Sequence, residues 1–209
     1  MILHNGILGK GTKKIGNIVG ANWKNKNYVR SYVIPANPNS DLQKAQRARF
    51  KSNVEFVKGI LGQIIQPYVD PFQRAMSGYN YFIKQNIMQF EDPLVFTSVK
   101  LTWGQLYKPG WVSSVWQSMP NYHVTLTWET SLGQNGKATD MVYAAVWDRG
   151  TKLWYFPTAA VARSVGTIVI PGTDGTIRTN CTIFWFAYRL KNLICVMSSD
   201  SQAHVLSAS

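Results

Sequence analysis

The first residues that could do chemistry are glycines and lysines near the N-terminus. A Walker-type phosphate loop needs two glycines separated by four residues, then Lys and then Ser or Thr, between a strand and a helix. Gly6 and Gly11 have that separation, but Thr12 and Lys13 follow in the reverse order. Residues 15–28 are rich in glycine and asparagine, which disfavours the required helix. We therefore interpret these glycines as turn or close-packing residues rather than a nucleotide site.

Other catalytic and metal-binding motifs are missing too. His4, His123 and His204 are far apart, and Cys181 and Cys195 lack the C-x-x-C spacing of zinc sites. The cysteines fit free buried thiols of a reducing compartment, with a disulfide between neighbouring strands as the alternative. No G-x-S-x-G motif occurs, and the one adjacent pair of acids precedes a proline and is typical of a loop. The sequence thus predicts no catalytic residue, no cofactor and no metal, and a protein that is not an enzyme.

Positive charge is concentrated in the N-terminal part of the chain. The 209 residues carry a formal net charge of +12 at pH 7. Residues 1–60 hold eleven of the 22 Lys and Arg residues but only two of the ten acidic residues, and residues 1–40 hold no acidic residue. This asymmetry indicates a polyanion or an acidic protein surface as partner, and a merely solvated surface is the other interpretation.

Aromatic residues are interleaved with these basic residues. Lys and Arg can contact phosphates, and Trp and Tyr rings can stack on bases. The predicted contacts with a polyanion or partner are Lys10, Lys13, Lys14, Trp23, Lys24, Lys26, Tyr28, Arg30, Lys44, Arg47 and Lys51. The last three share one helical face, a pattern that is also typical of solvated surface.

The elements that position these residues fall into three zones. Residues 1–39 are predicted to be a basic extended arm, in which "NYVRSYVIP" forms a strand and a hairpin turns around Asn25 to Asn27. Residues 40–90 are predicted to be a helical hairpin, and residues 91–209 a β-sandwich domain. The arm has so few apolar residues that it cannot fold alone and must lie against its own domain or a neighbour.

The helical zone begins with a capping signal. Ser40 is the expected N-cap, and Gln43 completes a capping box. The apolar stripe of the first helix is predicted at Phe50, Val54, Val57 and Leu61. A second helix is predicted over residues 71–88, with its apolar face at Phe72, Met76, Tyr79, Ile83 and Ile87.

The third zone contains seven short apolar or alternating runs separated by turn signals. The runs are "LVFTSVKLTW", "HVTLTWE", "DMVYAAVWD", "KLWYFPT", "VGTIVIP", "CTIFWFAYR" and "LICVMSS". Their spacing predicts an immunoglobulin- or fibronectin-like sandwich, so the expected fold class is α+β. In the second run, Val124, Leu126 and Trp128 should face one way and the threonines the other.

The chain resembles a family of proteins of unknown function found mainly in Bacteroidetes. The resemblance rests on the opening pattern G-x-x-G-K-x-x-x-K-x-G-N-x-V-G-x-x-W-K, starting at Gly6, and on the block "NPNSDLQKAQRARF". "ATDMVYAAVWD" and "ARSVGTIVIP" resemble its C-terminal strands. The resemblance implies the layout of the chain but no activity.

Two functions from different classes fit these observations. The first is a non-enzymatic structural protein that uses its arm for subunit contacts and forms a homo-oligomer or joins other subunits, as in a bacteriophage virion. The alternative is a nucleic-acid-binding protein that uses the basic-aromatic N-terminal segment. A module that holds a peptide or glycan at the sandwich loops is a third interpretation. The sequence has no membrane span and no signal peptide, which predicts synthesis in the cytoplasm and, for a phage protein, a place in the virion.

Overall fold

A computed structural model describes residues 2–3, 14–23, 26–34, 36–90, 96–117, 122–172, 181–191 and 194–205. The chain divides into two compact units, an N-terminal unit Met1–Asp41 and a C-terminal unit Leu42–Ser209. The protein is a mixed α+β protein whose C-terminal part is rich in sheet.

The N-terminal unit is a small antiparallel sheet. Its strands are β1 (Ile2–Leu3), β2 (Lys14–Ile15), β3 (Ile18–Trp23) and β4 (Lys26–Ser31), in the order β1-β4-β3-β2. Gly16 has φ +59 in the turn between β2 and β3, a conformation that glycine adopts without strain. The predicted hairpin is present, but the prediction placed Asn27 in its turn, whereas Asn27 lies in β4 opposite Asn22. The segment is therefore a sheet rather than a single extended arm.

The helical elements follow this sheet. They are α1 (Asp41–Lys58), a π-helical turn (Leu61–Ile65), α2 (Gln66–Tyr68), α3 (Gly78–Asn86) and single 3₁₀ turns at Asp70–Phe72, Ile87–Gln89, Phe96–Ser98 and Arg163–Val165. The first predicted helix is confirmed, and it begins directly after Ser40. None of the helices in the described ranges is long and apolar enough to span a membrane.

The predicted apolar stripe of α1 is partly wrong. Phe50 is exposed, whereas Asn53, Phe56 and Val57 are buried. The buried face of α1 therefore includes a polar residue, Asn53. Its side-chain amide donates a hydrogen bond to the Ile83 carbonyl at 3.3 Å, which compensates part of the cost of burying it. A stripe predicted from apolar residues alone misses such a position.

The second predicted helix begins too early. The chain makes a 3₁₀ turn at Asp70–Phe72, and α3 starts only at Gly78. The Ser77 hydroxyl accepts the Asn80 backbone N–H at 3.3 Å, which is the N-cap interaction that starts the helix. Phe72, predicted to face the core, is exposed.

Two sheets form the rest of the C-terminal unit. The strands are β5 (Trp111–Gln117), β6 (His123–Trp128), β7 (Met141–Asp148), β8 (Leu153–Tyr155), β9 (Val161–Ala162), β10 (Thr167–Pro171), β11 (Cys181–Lys191), β12 (Ile194–Ser198) and β13 (Gln202–Val205). The outer sheet has the order β10-β6-β5. The central sheet has the order β12-β11-β7-β8, with β13 also pairing with β11 and β9 with β7. All of the strand pairs are antiparallel.

The central sheet is covered on both faces. Toward the outer sheet it presents Val142, Ala144 and Val146, together with Ile183 and Trp185, which pack in one hydrophobic cluster with β6 and β10. The intervening residues of β7 and β11 pack in a second cluster with α1 and α3: Tyr143, Ala145, Trp147, Phe184, Phe186 and Tyr188. Double coverage explains why β7 and β11 are nearly continuous apolar runs, whereas β6 alternates as predicted between buried and half-buried residues.

The strand predicted in "LVFTSVKLTW" is wrong for the described residues 96–103, which contain a 3₁₀ turn and no strand. Side chains satisfy the backbone there instead of a neighbouring strand. The Asn86 side-chain amide donates to the Lys100 carbonyl and accepts from the Lys100 N–H, both at 2.9 Å. The Leu101 N–H donates to the Ser201 hydroxyl at 2.6 Å.

A buried ionic cluster joins the loop before β7 to the end of β11. Asp140 is buried and accepts two hydrogen bonds from the Arg189 guanidinium, at 2.6 and 2.8 Å. Nearby, the buried Arg163 donates to the carbonyls of Tyr107 at 2.6 Å and Ser131 at 3.2 Å. Burial lowers the pKa of Arg163, whereas the hydrogen bonds that Arg189 donates to Asp140 raise the pKa of Arg189.

Candidate functional site

The candidate site is the N-terminal sheet, and its strand register sorts its residues into two faces. Lys14 pairs with Val19, and Val19 pairs with Arg30. In the next row on the same face, Ala21 pairs with Tyr28. Because side chains alternate along a strand, the basic positions and Tyr28 share one face.

We call this surface the basic-aromatic face: Lys14, Val19, Ala21, Tyr28, Arg30 and Tyr32, with the paired positions Trp23 and Lys26 in the following row. Neighbouring strands are about 4.8 Å apart, so the backbones of Lys14 and Arg30 are about 10 Å apart across β3. Since residues 1–40 contain no Asp or Glu, no acidic side chain of this segment offsets these cations.

Tyr32 extends this face beyond the end of β4. Its backbone N–H donates to the Asn17 carbonyl at 2.7 Å, which continues the pairing past Ser31. The Lys14 ammonium lies 3.6 Å from the centre of the Tyr32 ring. Such a cation–π contact contributes about 0.5–1 kcal/mol at an exposed site, enough to orient the lysine but too little to hold it against a stronger partner.

Among the described residues, the opposite face carries no charge. Its cross-strand pairs are Ile18 with Ser31, Gly20 with Val29 and Asn22 with Asn27. The Asn22 side-chain amide donates to the Asn27 side-chain oxygen at 2.7 Å, which ties the two strands together. The sheet therefore has one cationic and one neutral face.

Burial is what the N-terminal sheet lacks. Among the side chains described from residue 14 to residue 40, none is buried. Val33 and Ile34, which continue from β4, are 71% and 77% exposed. A small sheet without a covered apolar face is only marginally stable.

In the part of the chain that the structure describes, the sheet also has edges without a partner strand. Strand β1 pairs only with Asn27 and Tyr28 of β4, and β2 pairs only with Ile18 and Val19 of β3. Within the described residues, the rest of β4 has a partner strand on one side only. Such an edge is a template for an added strand.

A family model described as a family of unknown function (DUF6266) matches residues 9–180. The chain belongs to this family. The resemblance to a family of unknown function is thereby confirmed. No curated protein and no solved structure matches the chain. The match to DUF6266 extends over β2 to β4, the helices and the strands up to β10, so the basic-aromatic face lies within the family region.

The residues predicted to contact a polyanion fall into three groups in this DUF6266 protein. Lys10, Lys13 and Lys24 lie outside the described residues. Lys14, Tyr28 and Arg30 are brought together on one face, and the positions of Trp23 and Lys26 pair beside them. The remaining three, Lys44, Arg47 and Lys51, are exposed on α1 in the C-terminal unit. Their role in binding stays a prediction.

Sequence reasoning missed two features, one in each unit of the chain. Tyr32 was not among the predicted contacts, although its two-residue spacing from Tyr28 and Arg30 is the signal of a shared face. Strand β5, "WVSSVWQ", was not predicted at all, although its Trp and Val residues favour a strand.

Strand β5 is an exposed edge of the outer sheet. It pairs with β6, and the described strands include no partner on its other side. Trp111 and Val115 are 44% and 51% exposed, and the strand carries no charged residue. Natural edge strands are usually blunted by charges, prolines or bulges. Here the register shift between Trp111 and Ser113 blunts only one end.

Proposed function

We propose that this protein is a non-enzymatic structural subunit of a larger assembly, and that its N-terminal sheet contacts a neighbouring subunit. The observation that carries the proposal is the lack of any buried side chain among those described from residue 14 to residue 40. A bacteriophage particle is an assembly of this kind, and the virion would then be its location. We also assign the C-terminal unit an immunoglobulin- or fibronectin-like sandwich as its scaffold, which the shared core of the outer and central sheets supports.

The proposed contact is strand addition between copies of the chain. Within the described ranges, the end of β4 with Val33 and Ile34 offers an apolar edge without a partner strand, and β5 of another copy offers a second one. Backbone hydrogen bonds supply most of the affinity in such pairings, and the alternating side chains supply the specificity. A strand added to an open edge leads naturally to symmetric repetition.

The test is the mass of the full chain over a range of concentrations, by light scattering and sedimentation. We expect species heavier than the 23.6 kDa monomer. Val33→Asp should shift the equilibrium toward monomer, because it puts a charge on the proposed contact edge. Val33→Thr, which keeps the shape of the side chain, should assemble like the wild type. A wild-type protein that stays monomeric at all concentrations would overturn the proposal.

A second variant tests the β5 edge. Val115→Lys places a cation in the middle of β5. Natural edge strands often contain a lysine, which prevents another strand from pairing with them. The matched control is Val165→Lys, since Val165 is similarly exposed but lies in a 3₁₀ turn. We expect only the β5 variant to dissociate the assembly. Equal behaviour of the two variants would exclude β5 as the contact.

Nucleic-acid binding is the second candidate, and one specific observation favours it. The register gathers Lys14, Arg30, Tyr28 and Tyr32 on one face. Cations that pair with phosphates and rings that stack on bases are the two components of single-strand recognition. A virion protein can combine this activity with assembly, since the neutral face and the strand edges remain available.

Binding of a fluorescent single-stranded oligonucleotide, followed by anisotropy at several salt concentrations, tests this candidate. Removing two phosphate contacts with Lys14→Gln and Arg30→Gln should reduce the slope of log K against log salt by about 1.4. The control pair Lys108→Gln and Lys137→Gln removes the same charge from exposed positions of the C-terminal unit. No binding at low salt, or equal slopes for the two pairs, would contradict nucleic-acid binding at this face.

A further inference from the structure

The neutral face of the N-terminal sheet has an apolar end. The positions of Ile15 and Ile18 pair there, between β2 and β3. In the next row on the same face, Val29 of β4 lies opposite Gly20. Because side chains alternate along an extended chain, Val33 lies on the same side, four residues beyond Val29. The neutral face therefore combines positions of β-branched residues from three strands.

The apolar side chains of this face are accessible in the single chain. Ile18 and Val33 are 52% and 71% exposed, and Val29 is half-buried. Apolar side chains gain free energy when a partner removes them from water. A molecule that covers this face therefore stabilises a sheet that has no buried side chain among its described residues.

The other end of the neutral face is polar but uncharged. Asn22 pairs with Asn27, and its side-chain amide donates to the Asn27 side-chain oxygen at 2.7 Å. Each asparagine side chain has two N–H donors and a carbonyl acceptor, so this single bond leaves hydrogen-bonding groups for a partner. An apolar region beside uncharged polar groups is the usual composition of a protein–protein interface.

Charge favours a second copy of the chain as the occupant of this face. The chain has a net charge of +12, and Lys14 and Arg30 lie on the opposite face of the same sheet. Copies that approach through cationic surfaces repel each other, whereas two neutral faces meet without like-charge repulsion. A two-fold axis parallel to the strands places the apolar rows against each other and the asparagine rows against each other. The face is therefore complementary to its own image, as a two-fold interface requires.

We propose that the neutral faces of two copies stack on each other around such an axis, with both basic-aromatic faces pointing outward. Ile18 and Val29 of each copy form the apolar part of the contact, and the two sheets lie about 10 Å apart, the usual distance between packed sheets. The inference rests on the proposed assembly function and adds a second contact to it, because strand addition uses the edges of the sheet and leaves its faces uncovered.

The size of the face predicts a weak contact. Strands β3 and β4 are six residues long. With a rise of about 3.4 Å per residue and a strand spacing of about 4.8 Å, the four strands present roughly 300 Å² per copy. A standard interface buries about 800 Å² per partner. We therefore expect a dimer at high protein concentration, and a firmer contact in an assembly whose strand addition raises the local concentration.

The stacking is tested in the Val115→Lys background, which blocks strand addition at β5 and isolates the face contact. By sedimentation up to about 500 μM protein, we expect this variant to show a monomer–dimer equilibrium. Adding Ile18→Lys should weaken the dimer at least about tenfold, because it places a cation in each of the two apposed faces. The matched control is Ala21→Lys, which adds the same charge to the basic-aromatic face of the same strand and should leave the dimer unchanged.

A cross-linking measurement keeps the test independent of lysine variants that fold poorly. Ser31→Cys places a thiol on the neutral face, and Arg30→Cys places one on the opposite face. The native Cys181 and Cys195 are buried. With a short bis-maleimide, we expect covalent dimers from Ser31→Cys at a yield severalfold above that from Arg30→Cys. Equal yields would refute the stacked arrangement. Circular dichroism checks that each variant is folded.

The outcomes separate this inference from the proposed strand addition. If the wild type assembles but Val115→Lys is monomeric at every concentration, strand addition stands and the stacking is refuted. If Val115→Lys assembles like the wild type and Ile18→Lys dissociates it, the stacking stands and the β5 contact is refuted. A monomeric Val115→Lys protein in which Ile18→Lys still lowers the melting temperature would assign the cover of this face to the chain itself, and would also overturn the inference.

Discussion

The backbones of the N-terminal and C-terminal units are both hydrogen-bonded in antiparallel sheets, but the units differ in the burial of their described side chains. Both are built from antiparallel strands with regular pairing. The C-terminal unit fills both sides of its central sheet with apolar clusters, whereas the side chains described from residue 14 to residue 40 include no buried one. Hydrogen bonds contribute only about 1 kcal/mol each, so pairing alone does not stabilise a small sheet. The difference indicates that the two units draw their stability from different sources, since only the C-terminal unit has extensive apolar clusters among the described residues.

The largest expected effect comes from the aromatic core. Phe56 is 2% exposed and contacts the rings of Phe82, Phe90, Trp147, Trp154 and Phe184. Phe56→Ala should lower the free energy of unfolding by about 3–5 kcal/mol, because it leaves a cavity in a packed core. The matched change in the N-terminal sheet, Val29→Ala, should cost less than about 1 kcal/mol. Urea unfolding followed by circular dichroism measures both. Similar losses for the two variants would show that the N-terminal sheet has a core of its own.

A smaller effect is expected from the polar pairs of the two units. Asp140 is fully buried and bound by Arg189, so Asp140→Ala leaves a guanidinium without its counter-ion and should cost about 3 kcal/mol. The exposed pair of Asn22 with Asn27 is the counterpart, and Asn22→Ala should cost under about 1 kcal/mol. The same urea titrations compare them. If Asp140→Ala lowered the free energy of unfolding only slightly, water would have to replace the carboxylate, and the ionic cluster would be accessible to solvent.

Much of the fold was predictable because local patterns and burial agree. The alternation in β6 predicts a strand with one covered face, and Val124, Leu126 and Trp128 are indeed buried. The pattern fails where tertiary contacts replace local rules. Residues 96–103 are rich in strand-forming side chains, but Asn86 and Ser201 bind their backbone, and these partners are distant in sequence.

The candidate site was predictable in composition but not in geometry. Basic and aromatic residues near the N-terminus are visible in the sequence, and a strand is predicted at "NYVRSYVIP". Which of them share a face depends on the register between β2, β3 and β4. Between β2 and β3, this register accompanies the tight turn at Gly16 rather than a hydrophobic alternation.

The smallest expected effect is a pH dependence that belongs to the C-terminal unit. Burial raises the pKa of the Cys195 thiol from 9.0 to about 11, and its thiol donates to the Met197 carbonyl at 3.4 Å. Since the folded protein holds this proton more tightly than the unfolded chain, the contribution to stability is complete below pH 9 and is lost as the pH rises toward 11. Burial also raises the pKa of Tyr68, Tyr143 and Tyr188, which act in the same direction at higher pH.

The free energy of unfolding should therefore fall by about 1–2 kcal/mol between pH 9 and pH 11 through Cys195, since each unit of pKa shift corresponds to about 1.4 kcal/mol and partial exposure reduces it. Urea unfolding at pH 8.5, 9.5 and 10.5 measures the slope. Cys195→Ala should flatten it, whereas a substitution in the N-terminal sheet such as Val29→Ala should leave it unchanged, because that sheet contains no cysteine. If Cys195→Ala keeps the full slope, the buried tyrosines carry the pH dependence and the thiol is accessible to water.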